Sequence, residues 1–520
     1  MAHLQFDLVV VGGGINGAGV ARDAAGRGLR VLLCEQHDLG AHTSSSSTKL
    51  IHGGLRYLEH YAFGLVRKAL QEREVLMRAA PHIIWPMRFV MPHDKQLRPR
   101  WMIRAGLFLY DNLGGRELLP ASRGINLGKH VAGNVLHDSL RYGYEYSDCW
   151  VEDARLVVLN ALDAAERGAD VRPRTACVAA QRHADHWMLT LRAESGEEQQ
   201  VRSRAMINAA GPWVSRFLGE VAGSPRTDLR VRLIKGSHIV LPALFDHDYS
   251  YLFQNPDGRV VFAIPYEHHY TLVGTTDEVF EGDPATVRIS EHEVTYLCET
   301  INRYFKQSVG PDDVAWTYSG VRPLFDDDAT SASAVTRDYV LDLDVSDGLA
   351  PMVSIFGGKI TTFRKLAEEV VEQVLPLLGS DAPRWTAAAP LPGGDIPDAD
   401  FDGWLARLQA ANPGLPASLL ARYGRQYGTR CEQLLAGARS AADLGEHLGD
   451  DIYAAELNYL IAQEWARESD DVLWRRSKLG LHVSEQTRER VRAWFAARFV
   501  KTPPLGRVRE ECPKQAVQAE

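Results

Sequence analysis

Residues 6–35 constrain this chain more than any other stretch. FDLVVV (Phe6–Val11) is an unbroken apolar run, the pattern of a strand buried on both faces. It leads straight into Gly12-x-Gly14-x-x-Gly17, which opens an alanine- and glycine-rich helical segment, Ile15–Arg27. A second apolar run, Arg30–Glu35, ends in a carboxylate. Strand, glycine turn, helix, strand and distal acid, in that order, form the unit that binds a dinucleotide. Gly12 permits the tight turn, Gly14 lets a pyrophosphate reach the backbone, and Gly17 lets helix and strand pack closely. The helix N-terminus offers unpaired N–H groups and a positive dipole end to the phosphates. Asn16 stands in the same turn, and Glu35 is placed to accept hydrogen bonds from a ribose diol.

Two later segments favour FAD over NAD. INAAGPW (Ile207–Trp213) is a short apolar strand ending in small residues and Gly211, fit for close backbone approach. FGGK (Phe356–Lys359) does the same at the start of a helix over 360–375. The N–H groups at Gly358 and Lys359, after Gly357, are expected to face the pyrimidine edge of a flavin with that helix's positive end. The run TSSSST (Thr43–Thr48) then acquires a purpose. Thr43, Ser45, Ser46 and Thr48 would give hydroxyl partners to pyrophosphate and ribityl groups without bulk. Gly53-Gly54 would pass under the isoalloxazine, and Arg56 and Tyr57 would emerge on the substrate side.

The expected architecture is α/β, a Rossmann-like FAD domain (1–85, 150–215 and 315–385) interrupted by an antiparallel-sheet substrate domain (86–149 and 216–314). SHIVLPAL, NPDGRVVFAIPY and HHYTLVGTTD alternate or carry β-branched residues, with a turn at Pro256-Asp257-Gly258. After Trp385 the stretch TAAAPLPGGDIPDAD is a linker by composition, and 390–500 shows only helical patterns. The formal charge of −9 provides no footprint for nucleic acid, so an anionic substrate must be met by local arginines. The six cysteines are scattered without C-x-x-C, which points to reduced thiols rather than a disulfide framework or a zinc site. No metal is expected, His268-His269 lying in a hairpin turn. The N-terminus lacks a basic signal region, and no run reaches the length of a membrane span. Arg98–Arg116, with Trp101 and an apolar stretch, fits either an interfacial helix on anionic lipid or an ordinary buried one.

VVVGGGINGAGVARDAAGRGL, SSSSTKLIHGGLRYLEH, YSDCWVEDARL, INAAGPWV, LIKGSHIV, GTTD, YSGVRPL, TRDY and FGGKITTFRKLAE, in this order, resemble the FAD-dependent glycerol-3-phosphate dehydrogenase family. DDVLWRRSKLGL resembles that family's helical C-terminal part, so the likeness spans about 5–500. It implies a D-amino-acid-oxidase-like fold and oxidation of sn-glycerol 3-phosphate to dihydroxyacetone phosphate. It also implies electrons passed to membrane quinone, and a homodimer held peripherally on the cytoplasmic face of the inner membrane.

Arginine suits a phosphate dianion because its planar fork makes paired, charge-assisted bonds. Arg56, Arg322 and Arg337 are the substrate-binding candidates, with Tyr57 and Thr276 beside them and Lys235 secondary. Lys359 would place a cation by flavin or substrate. His238 is the expected general base, since imidazole titrates near working pH, and Arg322 or Lys359 would steady the developing alkoxide. Three other readings stand: an oxidase that passes electrons to oxygen, a flavin enzyme acting on an amino or hydroxy acid, and a flavin-bearing scaffold that only docks a partner.

Overall fold

A computed structural model describes residues 4–94, 98–224, 230–326 and 338–499. Arg337 lies outside them.

The first sheet is built on β1 (Leu4–Val11), followed by helix α1 (Ile15–Gly26) and β2 (Val31–Cys34). Strands Asp170–Arg172, β2, β1, Glu198–Asn208 and Met352–Phe356 lie side by side in parallel, and Val340–Asp344 closes one edge antiparallel. An antiparallel hairpin, Thr175–Arg182 with Trp187–Ala193, hangs from Glu198–Asn208. Leu8, Val10, Val31 and Leu33 are buried in one core with Val20 and Ala24 of α1 and Val370 of the helix Phe363–Val374. Val11, Cys34, Asn208 and Phe356 end their strands at one edge of the sheet. Ligands of open parallel sheets bind outside the carboxyl ends of the strands, so this edge is where the site must form.

The second sheet is mixed. It runs Val231–Pro242, Tyr270–Gly274, Val260–Tyr266, Tyr249–Gln254, Ile84–Pro92 and Tyr142–Val151, with Leu50–Ile51 at the far side. Helices α2 (Phe63–Ala79) and α3 (Arg100–Leu113) cover one face through Val66, Leu70, Leu107 and Tyr110. Helix Glu291–Tyr304 covers another core through Leu297 and Ile301. Two segments inside the ranges assigned to the cofactor domain, 1–85 and 315–385, each put a strand into this sheet. Trp316–Phe325 pairs along its length with Val231–Pro242, and Leu50–Ile51 pairs with Tyr142–Val151. Local sequence does not decide which sheet edge a strand will join; that depends on where the preceding chain delivers it.

The C-terminal region packs helices Phe401–Ala411, Ala417–Tyr427, Ala454–Glu464 and Glu485–Arg498 around Trp404, Leu420, Tyr423, Leu457 and Val491. It also holds a small ladder, His447–Gly449 with Ile452–Tyr453, where only helices were expected. Buried ion pairs tie it to the first domain: Arg475 and Arg476 to Asp38, Asp471 to Arg174, and Glu464 to Arg155. Such pairs recover their desolvation cost only when well hydrogen-bonded, so they set the docking register more than they add stability.

Candidate active site

At the carboxyl edge of the first sheet the glycine turn is held by contacts only glycine can make. Gly12 has φ +112°, and a Cβ there would sit 2.4 Å from the Ala209 carbonyl oxygen. A Cβ on Gly17 would sit 1.9 Å from the oxygen of Gly12. Gly14 precedes the first residue of α1, and Gly14, Ile15 and Asn16 line a cavity of about 740 Å³. Glu35 accepts hydrogen bonds from the Gly13 N–H at 2.7 Å and the His37 N–H at 2.8 Å. Burial raises its pKa, against these two backbone donors. Each oxygen keeps a second lone pair, which a ribose hydroxyl can use.

The hydroxyl run does not act as a unit, because Thr43–Ser45 forms a tight helical turn that sends successive side chains in different directions. Ser44, which sequence reasoning passed over, lines the cavity and accepts from the Ile15 N–H at 3.0 Å. Ser45, expected on the cofactor, donates to His42 O within its own turn at 3.1 Å. Thr43 lines the cavity but donates to Val321 O at 2.7 Å. Ser46 lines it, and Thr48 lines it while bonded to His238. No sequence period separates Ser44 from Ser45; the turn alone does.

Farther along the cavity, Gly211, Gly357 and Gly358 line the wall with φ of +55°, +81° and +104°. Asn16 donates from Nδ2 to Gly357 O at 3.1 Å, joining the two glycine turns. Gly53 and Gly54 do not lie there. A Cβ on Gly53 would meet Leu70 Cδ2 at 2.4 Å and the Tyr110 hydroxyl at 2.7 Å, so this glycine serves the packing of α2 and α3. Gly54 turns the chain at φ +72°. Their neighbour His52 faces the cavity instead, its backbone N–H donating to Thr361 Oγ1 at 3.3 Å.

The groups that could meet an anionic substrate gather beyond these turns. The Lys359 Nζ lies 3.9 Å from the centre of the Tyr57 ring, and both residues line the cavity. Arg322 also lines it, with Nη2 3.0 Å from Asp277 Oδ1 and 3.2 Å from Thr276 O. Arg56 is half-buried outside the cavity wall. Thr276 is buried behind the wall, accepting from the Ser237 N–H at 2.9 Å and donating to Glu293 at 2.6 Å. Lys235 is likewise spent on Glu293, at 2.8 Å.

His238, the expected general base, stands on the cavity wall and is held there by its neighbours. Its ring stacks on Tyr318 at 4.6 Å, its Nε2 lies 2.9 Å from Thr48 Oγ1, and its Nδ1 is buried without a partner. Burial, with Lys49 and Arg322 nearby, lowers its pKa to about 3. It is neutral, and it lines the cavity together with His52. His52 lines the cavity as well, and burial lowers its pKa from the usual histidine value. The helix Phe363–Val374 begins just past Lys359–Thr361, directing its positive end toward this wall.

The donor set fits a flavin dinucleotide along its length: helix N-terminus and Ser44 for pyrophosphate, Glu35 for ribose, glycine turns and a second helix start for the ring. Residues 7–361 match the profile of the FAD dependent oxidoreductases, and 384–497 match the C-terminal domain of alpha-glycerophosphate oxidase. A glycerol-3-phosphate dehydrogenase of Pseudomonas aeruginosa is 52% identical over 96% of this chain and 96% of its own. A D-erythritol 1-phosphate dehydrogenase of Brucella abortus is 51% identical over 94% of this chain and 97% of its own. The crystal structure of a glycerol-3-phosphate dehydrogenase from Bacillus halodurans complexed with FAD superposes with a TM-score of 0.77 at 27% identity. It covers 95% of this chain and 91% of that one. The chain belongs to the FAD dependent oxidoreductase family.

Proposed function

We propose that the chain oxidises sn-glycerol 3-phosphate to dihydroxyacetone phosphate and passes the electrons to membrane quinone. One observation carries the reading: Arg322, Lys359, Tyr57 and His52 share the wall of the cofactor cavity beyond its glycine turns. FAD, when bound there, supplies the hydride acceptor. Arg322 and Lys359 bind the phosphate dianion by charge-assisted hydrogen bonds, and Asp277 holds the guanidinium of Arg322 in place. Fixing the phosphate orients the carbon bearing the secondary hydroxyl. His52, whose pKa is lowered by burial, accepts the hydroxyl proton, and His238 on the same wall is the alternative base. Arg337 of the TRDY segment remains a third phosphate-binding candidate, and Arg56 a flanking one.

The decisive experiment is anaerobic addition of glycerol 3-phosphate to the purified holoprotein, followed by flavin absorbance. Bleaching at a saturable rate supports the reading, and an unchanged spectrum refutes it. An oxygen electrode with and without added quinone separates a dehydrogenase from an oxidase. The Brucella relative motivates a second reading, a longer polyol phosphate as substrate, which D-erythritol 1-phosphate in the same assay tests.

The surface around α3 supports attachment to lipid. Trp101 and Phe108 are 70% and 60% exposed, Met102 and Leu109 are exposed, and Tyr61 and Phe63 project nearby. Interfacial helices bury such a face among headgroups. Arg104 is tied to Ser122 Oγ at 2.7 Å and Arg100 stacks on Tyr142, so the apolar face and not these arginines would carry the contact. No described helix is long and apolar enough to cross a membrane. If Trp101→Glu/Phe108→Glu still sediments fully with anionic liposomes, this attachment is wrong. A homodimer on the cytoplasmic face of the inner membrane completes the proposal, and sedimentation equilibrium tests the dimer.

A further inference from the structure

Trp474 belongs to the irregular helical turn Asp471–Arg476 of the C-terminal domain, yet its ring stacks on Trp316 of the second sheet at 4.8 Å and 25°. Trp316 packs on Tyr318 at 5.3 Å, and Tyr318 stacks on His238 at 4.6 Å and 14°. His238 Nε2 is 2.9 Å from Thr48 Oγ1, and the Tyr318 hydroxyl donates to Ser47 O at 2.8 Å. Rings in continuous contact therefore run from the C-terminal domain to the end of the hydroxyl loop.

Glycines press against both ends of this stack. A Cβ on Gly480 would lie 2.5 Å from the Trp474 indole, and one on Gly274 would lie 2.1 Å from His238 Cδ2. Each terminal ring is blocked on the side where its glycine stands. Close-packed interiors transmit displacement rather than absorb it.

The same turn also grips the beginning of the loop. Arg475 Nε lies 2.6 Å from Asp38 Oδ2, and Arg476 Nη2 lies 2.9 Å from Asp38 Oδ1. These guanidinium groups hold the Asp38 carboxyl well below the usual carboxylate range, against its burial. Between Asp38 and Thr48 lie Thr43, Ser44 and Ser46 of the cofactor cavity, including the hydroxyl bonded to the first N–H of α1.

We propose that the C-terminal domain is a positioning element for FAD: its turn 471–476 braces the 38–48 loop at both ends, through Asp38 and through the ring stack to Thr48. FAD is held tightly only while that brace is in place. The inference rests on FAD as cofactor and is independent of which alcohol is oxidised.

The test is the rate at which the purified holoprotein releases FAD on dilution, read as recovery of free-flavin fluorescence. Trp474 and Trp316 do not line the cavity, so neither can act by touching the cofactor. Trp474→Ala is expected to release FAD roughly 5- to 10-fold faster, the size of one lost aromatic pair. Trp474→Phe keeps a ring and is expected to restore release to within about twofold of wild type. Trp316→Leu breaks the stack inside the second sheet, leaves the C-terminal domain whole, and is expected to match Trp474→Ala. The double variant is expected to be no faster than either single one, since both cut one path. Wild-type release from Trp474→Ala, multiplied effects in the double variant, or a Trp474→Phe as fast as Trp474→Ala would each overturn the proposal. Should Trp474→Ala not fold, Trp316→Leu decides: faster release supports the brace and wild-type release ends it.

Discussion

Acidification should loosen the seam between the first and C-terminal domains through one histidine. His82 follows α2 and is fully buried, with neither ring nitrogen hydrogen-bonded among the described residues. A Cβ on Gly393 of the linker would come within 3.3 Å of its Nε2. Burial, then the nearby guanidinium groups of Arg155 and Arg425, lowers its pKa from 6.5 to about 3. Between those two values the unfolded chain binds a proton that the folded chain refuses. Stability is therefore full above the unfolded pKa and falls as the pH drops below about 6.5. At pH 5 the gap of about 1.5 pH units, at 1.36 kcal/mol per unit, amounts to about 2 kcal/mol. His82→Leu removes the titration at similar volume and leaves the other acid-sensitive groups untouched. Urea unfolding of the holoprotein at pH 7 and pH 5, followed by tryptophan fluorescence, gives the comparison. Wild type should lose about 2 kcal/mol more than His82→Leu across that interval. Equal losses in the two proteins would refute the argument, because His238 and the carboxylates titrate alike in both.

Gly17→Ala should abolish FAD binding, because its Cβ would sit 1.9 Å from a backbone oxygen of the pyrophosphate turn; absorbance of the purified variant reads this directly. Arg322→Ala should lose about 1.5–3 kcal/mol, roughly 10- to 150-fold in kcat/KM for glycerol 3-phosphate, and unchanged steady-state kinetics would remove Arg322 from the site. His52→Ala should slow flavin reduction by about 10²- to 10⁴-fold, the range of a general base, in anaerobic stopped flow. If His238→Ala, at full FAD occupancy, shows the larger loss, the base has been misassigned.

The strand–turn–helix–strand unit and its distal acid could be read from the chain because they rest on local sterics. Gly12 and Gly17 are glycines for contacts made inside that unit or against the adjoining Ala209, and Glu35 closes back on the N–H of Gly13. The glycine turn at 357–358, the helix after it and the helical C-terminal region were legible for the same reason, since periodicity and turn chemistry are properties of neighbouring residues. What touches the cofactor cavity was decided elsewhere. Ser44 rather than Ser45, and His52 rather than the glycines beside it, face inward because a turn and the packing of α2 and α3 rotate them there. His238, the base expected from sequence, reaches the cavity but is held there by Tyr318 and Thr48, which come from distant strands and loops. Thr276 looked like a substrate contact and is consumed by Glu293 of another helix. A side chain's partners across long sequence separations are set by how the sheets and domains dock. Local pattern determined that this chain folds around a dinucleotide; only the tertiary structure determined which atoms are left to do chemistry on it.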